Sequence, residues 1–327
     1  MASPVDWQSL DTSLMWNPRV APPAWDLPSL TAHIWIGTSG NSCVALSKEA
    51  FLVSAQAVNA HLGATAQDQW IHVLPDFHVG GLGIWARSFL SGATVHKMEW
   101  NPHQFALMKG TLASIVPTHI YDLVSHQLHA PPHLRALIVG GGALSPSLYT
   151  EALELGWPIV LTYGMTEAAS QIATSQPRSS HLEILSHIHC RCEETLWIKG
   201  ASLLTGFFKE GEWVDPKVEG WYPTSDRVTL QGSRLIYHAR GDEQIKIGGE
   251  LVDLALLRLL WTAPHSYLIA REDVRLGKHV ALLYEGGNVP DIAAFNAAVR
   301  PFERIRSFER LERLPRTELG KIKYSAT

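Results

Sequence analysis

The sequence predicts an α/β protein with a large N-terminal domain and a small α+β C-terminal domain. The large domain is expected to hold a mainly parallel sheet flanked by helices, plus an antiparallel lobe. Short apolar runs alternate with amphipathic segments from about residue 31 to 175, which is typical of parallel strands with crossover helices. Short strand patterns joined by Gly-rich turns follow after about residue 180. The 327 residues are about twice a typical domain length, which favours two domains.

The strands and helices of the large domain are expected in alternation. Residues 33–38 predict a strand that ends in a Thr-Ser-Gly turn, and a helix with Ser47 as its N-cap is predicted over 47–62. Further strands are predicted at 69–74, 93–97, 113–116, 135–139 and 158–162, and further helices at 80–90, 102–109, 118–128 and 146–155. The antiparallel lobe is predicted at 182–199 and 226–238.

The small domain is expected to begin near Ala239–Asp242, beside a glycine and between two β patterns. The chain therefore divides into residues 1–239 and residues 240–327. The elements predicted in the second domain are a helix at 250–261, strands at 265–273 and 279–286, a helix at 290–300 and a strand at 305–311. Residues 315–327 are polar and without periodicity, which predicts a mobile loop.

The composition excludes several classes of protein. With 46% hydrophobic and 18% charged residues the chain resembles a globular protein and not a disordered, collagenous or coiled-coil one. The net charge of −4 leaves no large basic excess for a nucleic-acid surface. Three cysteines do not make a disulfide framework, and no signal peptide or 18-residue apolar stretch is apparent. We therefore expect a cytoplasmic protein without a membrane span.

Three motifs directly follow predicted strands. Glycine-containing turns, as in Gly37–Ser42, can hold phosphate through backbone N–H groups, and the glycines of Gly140–Ala143 let a planar ligand approach the backbone. In the third motif, Tyr163 can stack on a base, Thr166 offers a hydroxyl to phosphate, and Glu167 offers a hard oxygen to Mg²⁺. Taken singly, the first two can also be simple turns and the third a helix start with Thr166 as N-cap.

Three later motifs lie in turns. Asp226, in Tyr222–Asp226, can accept both hydroxyls of a ribose. The Arg240–Glu250 segment lies at the proposed domain junction. Lys321 stands beside Gly320, and a lysine in such a loop can meet the charge that develops on a phosphate. Each of these alone is more typical of a surface turn.

Two other kinds of site are not supported. The segment His187–Cys192 contains zinc-ligand types, but strand alternation puts the histidines and the cysteines on opposite faces. A Ser/His/Asp hydrolase would need a G-x-S-x-G elbow, which the sequence lacks.

Taken together and in this order, the six motifs resemble the core-motif series of the adenylate-forming superfamily of acyl-CoA synthetases, over residues 34–323. Within it, LRALIVGGGALSP, LTYGMTEAASQIAT and PDFHVGGLGIW are most similar to the family of 2-succinylbenzoate–CoA ligases of menaquinone biosynthesis. The resemblance implies that an aromatic carboxylic acid reacts with ATP to give an acyl-adenylate and pyrophosphate. CoA then displaces AMP after the small domain rotates. It implies Mg²⁺ as cofactor, with ATP and CoA as co-substrates.

The resemblance also implies a role for each matched residue. The implied ATP-binding residues are Thr38, Ser39, Gly40, Gly141, Gly142, Ala143, Thr162, Tyr163, Gly164, Met165, Asp226 and Arg240. The implied catalytic residues are Lys321 for adenylation, Thr166 at the α-phosphate, and Glu167, which would also hold Mg²⁺. The remaining implied residues are His78 and Gly140 at the acyl pocket, Asp242 at the hinge, and Lys246, Gly248 and Gly249 facing CoA.

The sequence departs from the family at several points. Family phosphate loops usually have the sequence Ser-Gly-Thr-Thr-Gly-x-Pro-Lys, whereas Asn41-Ser42-Cys43-Val44 follows Gly40 here. Ser225 replaces the usual glycine, Tyr324 stands where a basic residue often lies, and only about 33 residues precede the phosphate strand. Two alternatives stay open: a CoA ligase for another aryl or acyl acid, and a non-catalytic nucleotide- or acyl-binding homologue. The presence together of the four residues Glu167, Asp226, Arg240 and Lys321 favours an active enzyme.

Overall fold

The structure is a computed structural model that describes residues 2–18, 27–37, 42–209, 211–240, 244–247, 250–316 and 322. The chain divides into two compact units, of which the first comprises Met1–Gly142, Pro146–Thr224 and Leu230–Ile236, and the second Ala143–Ser145, Ser225–Thr229 and Tyr237–Thr327. Among the described residues, no helix combines the length and the apolar character needed to cross a membrane. The predicted boundary between residues 239 and 240 stays a prediction.

The first unit is built on two main sheets with helices packed around them. Its strands are β1 (Ser13–Met15), β2 (His33–Gly37), β3 (Ser42–Ser47), β4 (Gln69–His72), β5 (Thr94–Lys97), β6 (Leu112–Ile115), β7 (Ala136–Val139), β8 (Ile159–Met165), β9 (Ser170–Thr174), β10 (Leu182–Ile184), β11 (Ile188–Cys192), β12 (Leu196–Gly200), β13 (Gly206–Lys209), β14 (Glu212–Val214) and β15 (Tyr222–Pro223). Its helices are α1 (Lys48–Leu62), α2 (Val79–Ser91), α3 (Pro102–Ala106), α4 (Pro117–Ser125), α5 (Pro146–Glu154) and a 3₁₀ turn at Thr166–Ala168. Strands β16 (Asp226–Gln231) and β17 (Arg234–Arg240) contribute residues to both units.

The larger sheet confirms the predicted α/β class. Its order is β16-β17-β10-β9-β8-β7-β6-β4-β5, and the five strands from β5 to β8 run parallel. All four residues of β6 and of β7 are buried, as expected for parallel strands covered on both faces. The core beneath α1 and α2 is formed by large side chains that include Val58, Trp70, Ile84 and Leu112. Ser47 caps α1 as predicted, because its side chain accepts from the Ala50 N–H at 3.0 Å.

The change to antiparallel pairing comes earlier than predicted. Strand β9 already pairs antiparallel with β8, although the sequence placed the change after about residue 180. The turn between them contains no glycine or proline and instead uses Ala169 at φ 50° and Ser170 at φ 108°. Because non-glycine residues seldom adopt positive φ, the sequence gives no turn signal there.

The smaller sheet of this unit has the order β1-β2-β3-β13-β14 and contains a strand that the sequence analysis missed. Strand β3 pairs antiparallel with β2, Gly37 opposite Cys43, and with β13 on its other side. Its residues Cys43 to Leu46 are buried in succession, so they lack the alternation that marks a half-buried strand. Ser42, the last residue of the predicted phosphate turn, is thus the first residue of β3.

The second unit has a core of its own. Its elements are β18 (Gln244–Ile247), β19 (Glu250–Asp253), α6 (Leu254–Leu260), β20 (Ser266–Asp273), β21 (Gly277–Glu285), α7 (Ala293–Ala298) and β22 (Ile305–Leu311). Strand β21 pairs antiparallel with β20 and parallel with β22. Buried Val252, Leu257, Leu268 and Leu282 belong to one cluster between the sheet and α6.

Two predicted helices in this unit are shorter than expected. The helix predicted at 250–261 begins at Leu254, because Glu250–Asp253 pairs with β18 as a strand and Asp253 accepts from the Leu256 N–H at 3.0 Å. The helix predicted at 290–300 covers Ala293–Ala298. Of the predicted mobile loop, residues 315, 316 and 322 are described, and Arg316 forms an antiparallel bridge with Ile322.

Candidate functional site

The predicted site motifs of the first unit follow neighbouring parallel strands. Strands β4, β6, β7 and β8 are parallel, so their C-terminal ends lie at one edge of the sheet. The loop that ends in His78 follows β4, the glycines at 140–142 follow β7, and Thr166 and Glu167 follow β8. This edge is where open α/β sheets bind their ligands.

The glycine turn after β7 is packed directly against β8. The Gly140 N–H donates to the Ile115 carbonyl oxygen at 3.2 Å, and a Cβ at Gly140 would lie 2.7 Å from Thr162 Cγ2. Gly141 has a φ of 77°, which strongly favours glycine. Gly141 and Gly142 are exposed, so their backbone is open to a ligand. The second and third sequence motifs are therefore neighbours in space.

Two of the predicted ATP-binding residues have structural roles in the β8–β9 hairpin. The Thr162 hydroxyl donates to the Ala173 carbonyl oxygen at 3.1 Å. A Cβ at Gly164 would lie 1.7 Å from the Ser170 carbonyl oxygen, so only glycine fits there. Tyr163 and Met165, which flank Gly164, are half-buried. The contacts of Thr162 and Gly164 thus explain their residue types without a nucleotide.

The turn from Thr166 to Ser170 is strained. It begins with a 3₁₀ turn whose N-cap position is Met165, so the alternative in which Thr166 caps a helix is wrong. The Glu167 carbonyl oxygen accepts from the Leu204 N–H at 2.8 Å, which anchors the turn on a neighbouring segment. Two successive positive φ values follow, and backbone strain of this kind concentrates at functional sites. The half-buried Glu167 carboxylate is of the donor type that Mg²⁺ takes together with substrate phosphates.

Arg87 is a functional candidate that the sequence analysis did not find. This residue of α2 is 1% exposed, and its Nη2 donates to Ser170 Oγ at 3.4 Å. Its Nε and Nη1 have no acceptor, and no described carboxylate pairs with it. The guanidinium lies over the Trp70 ring, with Cζ 5.6 Å from the centroid.

Burial without an anion is costly for a cation. Burial lowers the pKa of Arg87 to about 10, so the guanidinium is still charged at neutral pH. Ser170 pairs with Met165, which places this charge at the turn that follows β8. The signal in the sequence was a single arginine within the apolar stretch 82–90.

Several predicted site residues cannot be compared with the structure. Thr38, Ser39, Gly40, Asp242, Gly248, Gly249 and Lys321 lie outside the described residues, as do the side chains of Arg240 and Lys246.

In the second unit, Ala143 is exposed, and Asp226 is buried at the first position of β16. His78, in the first unit, occupies the N-cap position of α2 without a side-chain capping bond. The roles of all these residues stay predictions.

The segment with zinc-ligand types forms strand β11. His189 and Cys192 are exposed, and burial raises the pKa of the Cys190 thiol to about 12. Within the described part of the chain, no three His, Cys, Asp or Glu side chains come together as metal ligands. A thiol with so high a pKa is a poor metal ligand and a poor nucleophile.

Comparison with known proteins agrees with the arrangement of the sheet and its motifs. Residues 37–189 match the family model of the AMP-binding enzymes. Over 88% of this chain, the structure superposes with a TM-score of 0.79 and 25% identity on o-succinylbenzoate CoA synthetase from Bacillus subtilis in complex with the acyl-adenylate intermediate OSB-AMP. The chain has the fold of the adenylate-forming enzymes. The resemblance predicted from the motifs is thereby confirmed.

The similarity covers only part of these relatives. The same Bacillus subtilis enzyme in complex with ATP and magnesium ion matches with a TM-score of 0.77 at 25% identity, over 88% of this chain and 68% of that one. The OSB-AMP complex is covered to 67%. The 2-succinylbenzoate–CoA ligase of Salmonella typhimurium is 32% identical over 208 residues, which are 62% of this chain and 45% of the relative. The chain therefore spans about half the length of that curated relative.

Proposed function

We propose that this chain is an ATP-dependent, acid–thiol ligase that activates 2-succinylbenzoate as an acyl-adenylate and transfers it to CoA in menaquinone biosynthesis. The observation that carries this proposal is the edge of the parallel sheet. There the exposed glycine turn packs against β8, and the turn that follows β8 lies beside a buried guanidinium that has no anion. A nucleotide and an acid with a second negative charge would use these groups together.

In the first step, an oxygen of the substrate carboxylate forms a bond to the α-phosphorus of ATP, and the bond from that phosphorus to pyrophosphate breaks. Thr166 is proposed to donate its hydroxyl to the α-phosphate, and Glu167 to hold Mg²⁺, which neutralises phosphate charge when bound. Lys321 is proposed to supply a further positive charge to the reacting phosphate. Asp226 and Arg240 would bind the ribose, while the Gly141–Gly142 backbone would face the adenine.

In the second step, the CoA sulfur bonds to the acyl carbon, and the bond from that carbon to the AMP oxygen breaks. We propose that residues 240–327 form the domain that changes position between the steps, with Asp242 as its hinge. Lys246, Gly248 and Gly249 would then face CoA. A few residues at such a junction absorb the change in φ and ψ that the motion requires.

The acid subsite is where Arg87 enters the proposal. A 2-succinylbenzoate molecule has two carboxylates, so one remains charged while the other is activated. The Arg87 guanidinium can receive the remaining carboxylate with two parallel N–H donors, which suits buried recognition of an anion. An acid without a second carboxylate would leave this charge unpaired. The proposal therefore favours a dicarboxylic over a monocarboxylic aromatic acid.

A pyrophosphate-release assay tests the proposal directly. The chain is incubated with ATP, Mg²⁺ and either 2-succinylbenzoate, benzoate or a long-chain fatty acid, each with and without CoA. We expect release with 2-succinylbenzoate and thioester formation only when CoA is added. The Lys321→Ala variant should lose adenylation by about 10²–10³-fold, yet convert preformed acyl-adenylate to thioester at a nearly unchanged rate. Release with another acid alone would favour a different ligase, and no release with any acid a non-catalytic binding protein.

A further inference from the structure

The Asp76 carboxylate joins three elements at the C-terminal end of β4. Its Oδ1 accepts from His72 Nε2 at 2.7 Å and from Trp85 Nε1 at 2.8 Å, and its Oδ2 pairs with Lys97 Nζ. Burial raises the pKa of Asp76, but the three donors outweigh this effect and hold the pKa far below its usual range. The carboxylate thus remains charged and bonded at any physiological pH. It ties the end of β4 to α2 and to the end of β5.

These bonds fix how α2 lies on β4. Trp70 and His72 are two residues apart on β4 and so share one face of the strand. Trp85 of α2 meets the His72 ring edge-on with centroids 5.6 Å apart, and Arg87 lies over the Trp70 ring. The two contacts thus join the same helix to the same strand, at positions two residues apart on each. A shift of Trp85 on His72 therefore moves Arg87 on Trp70.

The loop that contains Asp76 is also pressed against the start of α2. A Cβ at Gly81 would lie 2.1 Å from the Pro75 carbonyl oxygen and 3.2 Å from His72 Cε1. The His78 N–H donates to the same Pro75 carbonyl oxygen at 3.3 Å. Loop and helix are thus in backbone contact.

We propose that Asp76 is a positioning residue for recognition of the acid. By holding α2 in register on β4, its carboxylate keeps the Arg87 guanidinium at the β8–β9 turn. Asp76 itself touches no substrate atom. This inference rests on the proposed function, because it assumes that Arg87 binds the second carboxylate of the acid. It goes beyond that function in naming the residue that sets the position of the guanidinium.

The Asp76→Asn variant tests the role. It keeps the side-chain shape but removes the charge and replaces one acceptor oxygen with a donor. We expect the KM for 2-succinylbenzoate to rise by about tenfold, since a misplaced binding group of this kind costs one to two orders of magnitude. The KM for ATP should stay unchanged. The Lys97→Met variant keeps the bonds from His72 and Trp85 and should give a smaller rise, which provides a second measurement if Asp76→Asn folds poorly.

Asp68 offers a matched control at the opposite end of β4. Its carboxylate is also buried and bonded, accepting from Arg135 Nε at 2.9 Å, Arg135 Nη2 at 2.8 Å and Thr111 Oγ1 at 2.7 Å. Its partners Arg135 and Thr111 lie outside α2, so none of these bonds holds that helix on β4. Asp68→Asn should therefore lower thermal stability but leave the KM for the acid unchanged. An equal rise in that KM for both variants would show a general structural effect and overturn the role.

A double-mutant cycle separates positioning from direct contact. If Asp76 acts through Arg87, Asp76→Asn should have no further effect on acid binding in an Arg87→Met background. Binding is measured by calorimetry with ATP absent, so the result does not depend on turnover. Additive losses would overturn the proposal.

Hydrogen exchange supplies a readout without ligand. Asp76→Asn should increase exchange in Val79–Ser91 and not in Lys48–Leu62, and unchanged exchange in the former would also overturn the role. A chain that binds the acid but releases no pyrophosphate would contradict the proposed reaction and leave this test of Asp76 intact.

Discussion

Two buried cations of the first unit, Lys48 and Arg87, differ in what surrounds them. Lys48 at the start of α1 is 3% exposed, and its Nζ donates to the Asp6 carbonyl oxygen at 2.7 Å and to the carbonyl and hydroxyl oxygens of Ser9 at 2.9 Å each. The three ammonium protons of Lys48 thus have three oxygen acceptors. Arg87 is equally buried, but it has one distant acceptor for its five N–H groups.

The comparison shows why burial alone does not distinguish a structural charge from a binding charge. Lys48 is satisfied by the chain and holds residues 6–9 against α1. Arg87 is surrounded by Trp70, Gly83 and Ser170, which supply a shape but not a countercharge. A buried charge with vacant donors is a candidate for a ligand contact because desolvation makes an anion there strongly favourable.

The largest expected effect is on acid binding by Arg87→Met. Loss of the guanidinium leaves the second carboxylate of the acid buried and unpaired, which costs about 3–5 kcal/mol. The Kd for 2-succinylbenzoate should therefore rise by more than about 100-fold. Calorimetry with 2-succinylbenzoate and with benzoate measures this, since benzoate binding should change little. A similar loss for both acids would place Arg87 outside the acid subsite.

The next largest effect is on stability, and here the variant of Lys48, not that of Arg87, should lose the most. Lys48→Met removes three hydrogen bonds of a buried ammonium group, so the free energy of unfolding should fall by about 3 kcal/mol. Arg87→Met removes an unsatisfied charge and should leave the free energy of unfolding unchanged or raise it. Urea denaturation of both variants and the wild type checks the contrast. A strong loss of stability in Arg87→Met would mean that its guanidinium has structural partners after all.

Gly83→Ala should test whether Arg87 binds the acid, because it moves the guanidinium without removing it. A Cβ at Gly83 would lie 3.1 Å from Arg87 Nη2, so the group must shift by a few tenths of an ångström. Alanine is also favoured over glycine in a helix by up to about 1 kcal/mol, so stability should not fall. We expect about a threefold to tenfold weaker acid binding with unchanged or higher thermal stability. Unchanged binding would show that the guanidinium tolerates the shift.

The smallest expected effect is the loss of the pair that a third cation, Arg135, forms with Asp68. The contribution of this pair to stability depends on pH. Asp68 has its pKa lowered to about 2, chiefly by the Arg135 hydrogen bond. The pair therefore stabilises the folded state fully above the unfolded aspartate pKa of about 3.9, and this is lost as pH falls towards 2. The difference in melting temperature between wild type and Asp68→Asn should shrink over that interval. A difference that stays constant from pH 7 to pH 2 would contradict the pairing.

The sequence predicted those features that depend on local pattern. Alternation of buried runs and amphipathic segments located the parallel strands and their helices, and Ser47 was identified as a cap from its residue type and position. The turn at Ala169 and Ser170 could not be predicted, because tertiary pairing of β9 imposes a backbone that these residues seldom adopt. Glu250–Asp253 has a helical pattern and forms a strand because β18 pairs with it.

The candidate site was predictable to the same extent. Motifs with polar residues after strands were found in the sequence because strand ends are local features. Arg87 was missed because an arginine shows neither its burial nor its lack of an acceptor until the helix, the strand and the β8–β9 turn are assembled. Asp76 was missed for the same reason, since its three donors come from three elements.

The hairpin of β2 and β3 has a consequence for engineering. Strand β2 ends at Gly37 and β3 begins at Ser42, so four residues connect two strands whose register is fixed by pairing on both sides of β3. Doubling the length of a flexible connection adds only about 0.6 kcal/mol of closure entropy. A longer, glycine-rich loop of the superfamily type, with its terminal lysine, can therefore be inserted between Gly37 and Ser42 at little cost in folding. The hairpin makes this chain a host in which loops of different length and charge can be exchanged against one constant scaffold.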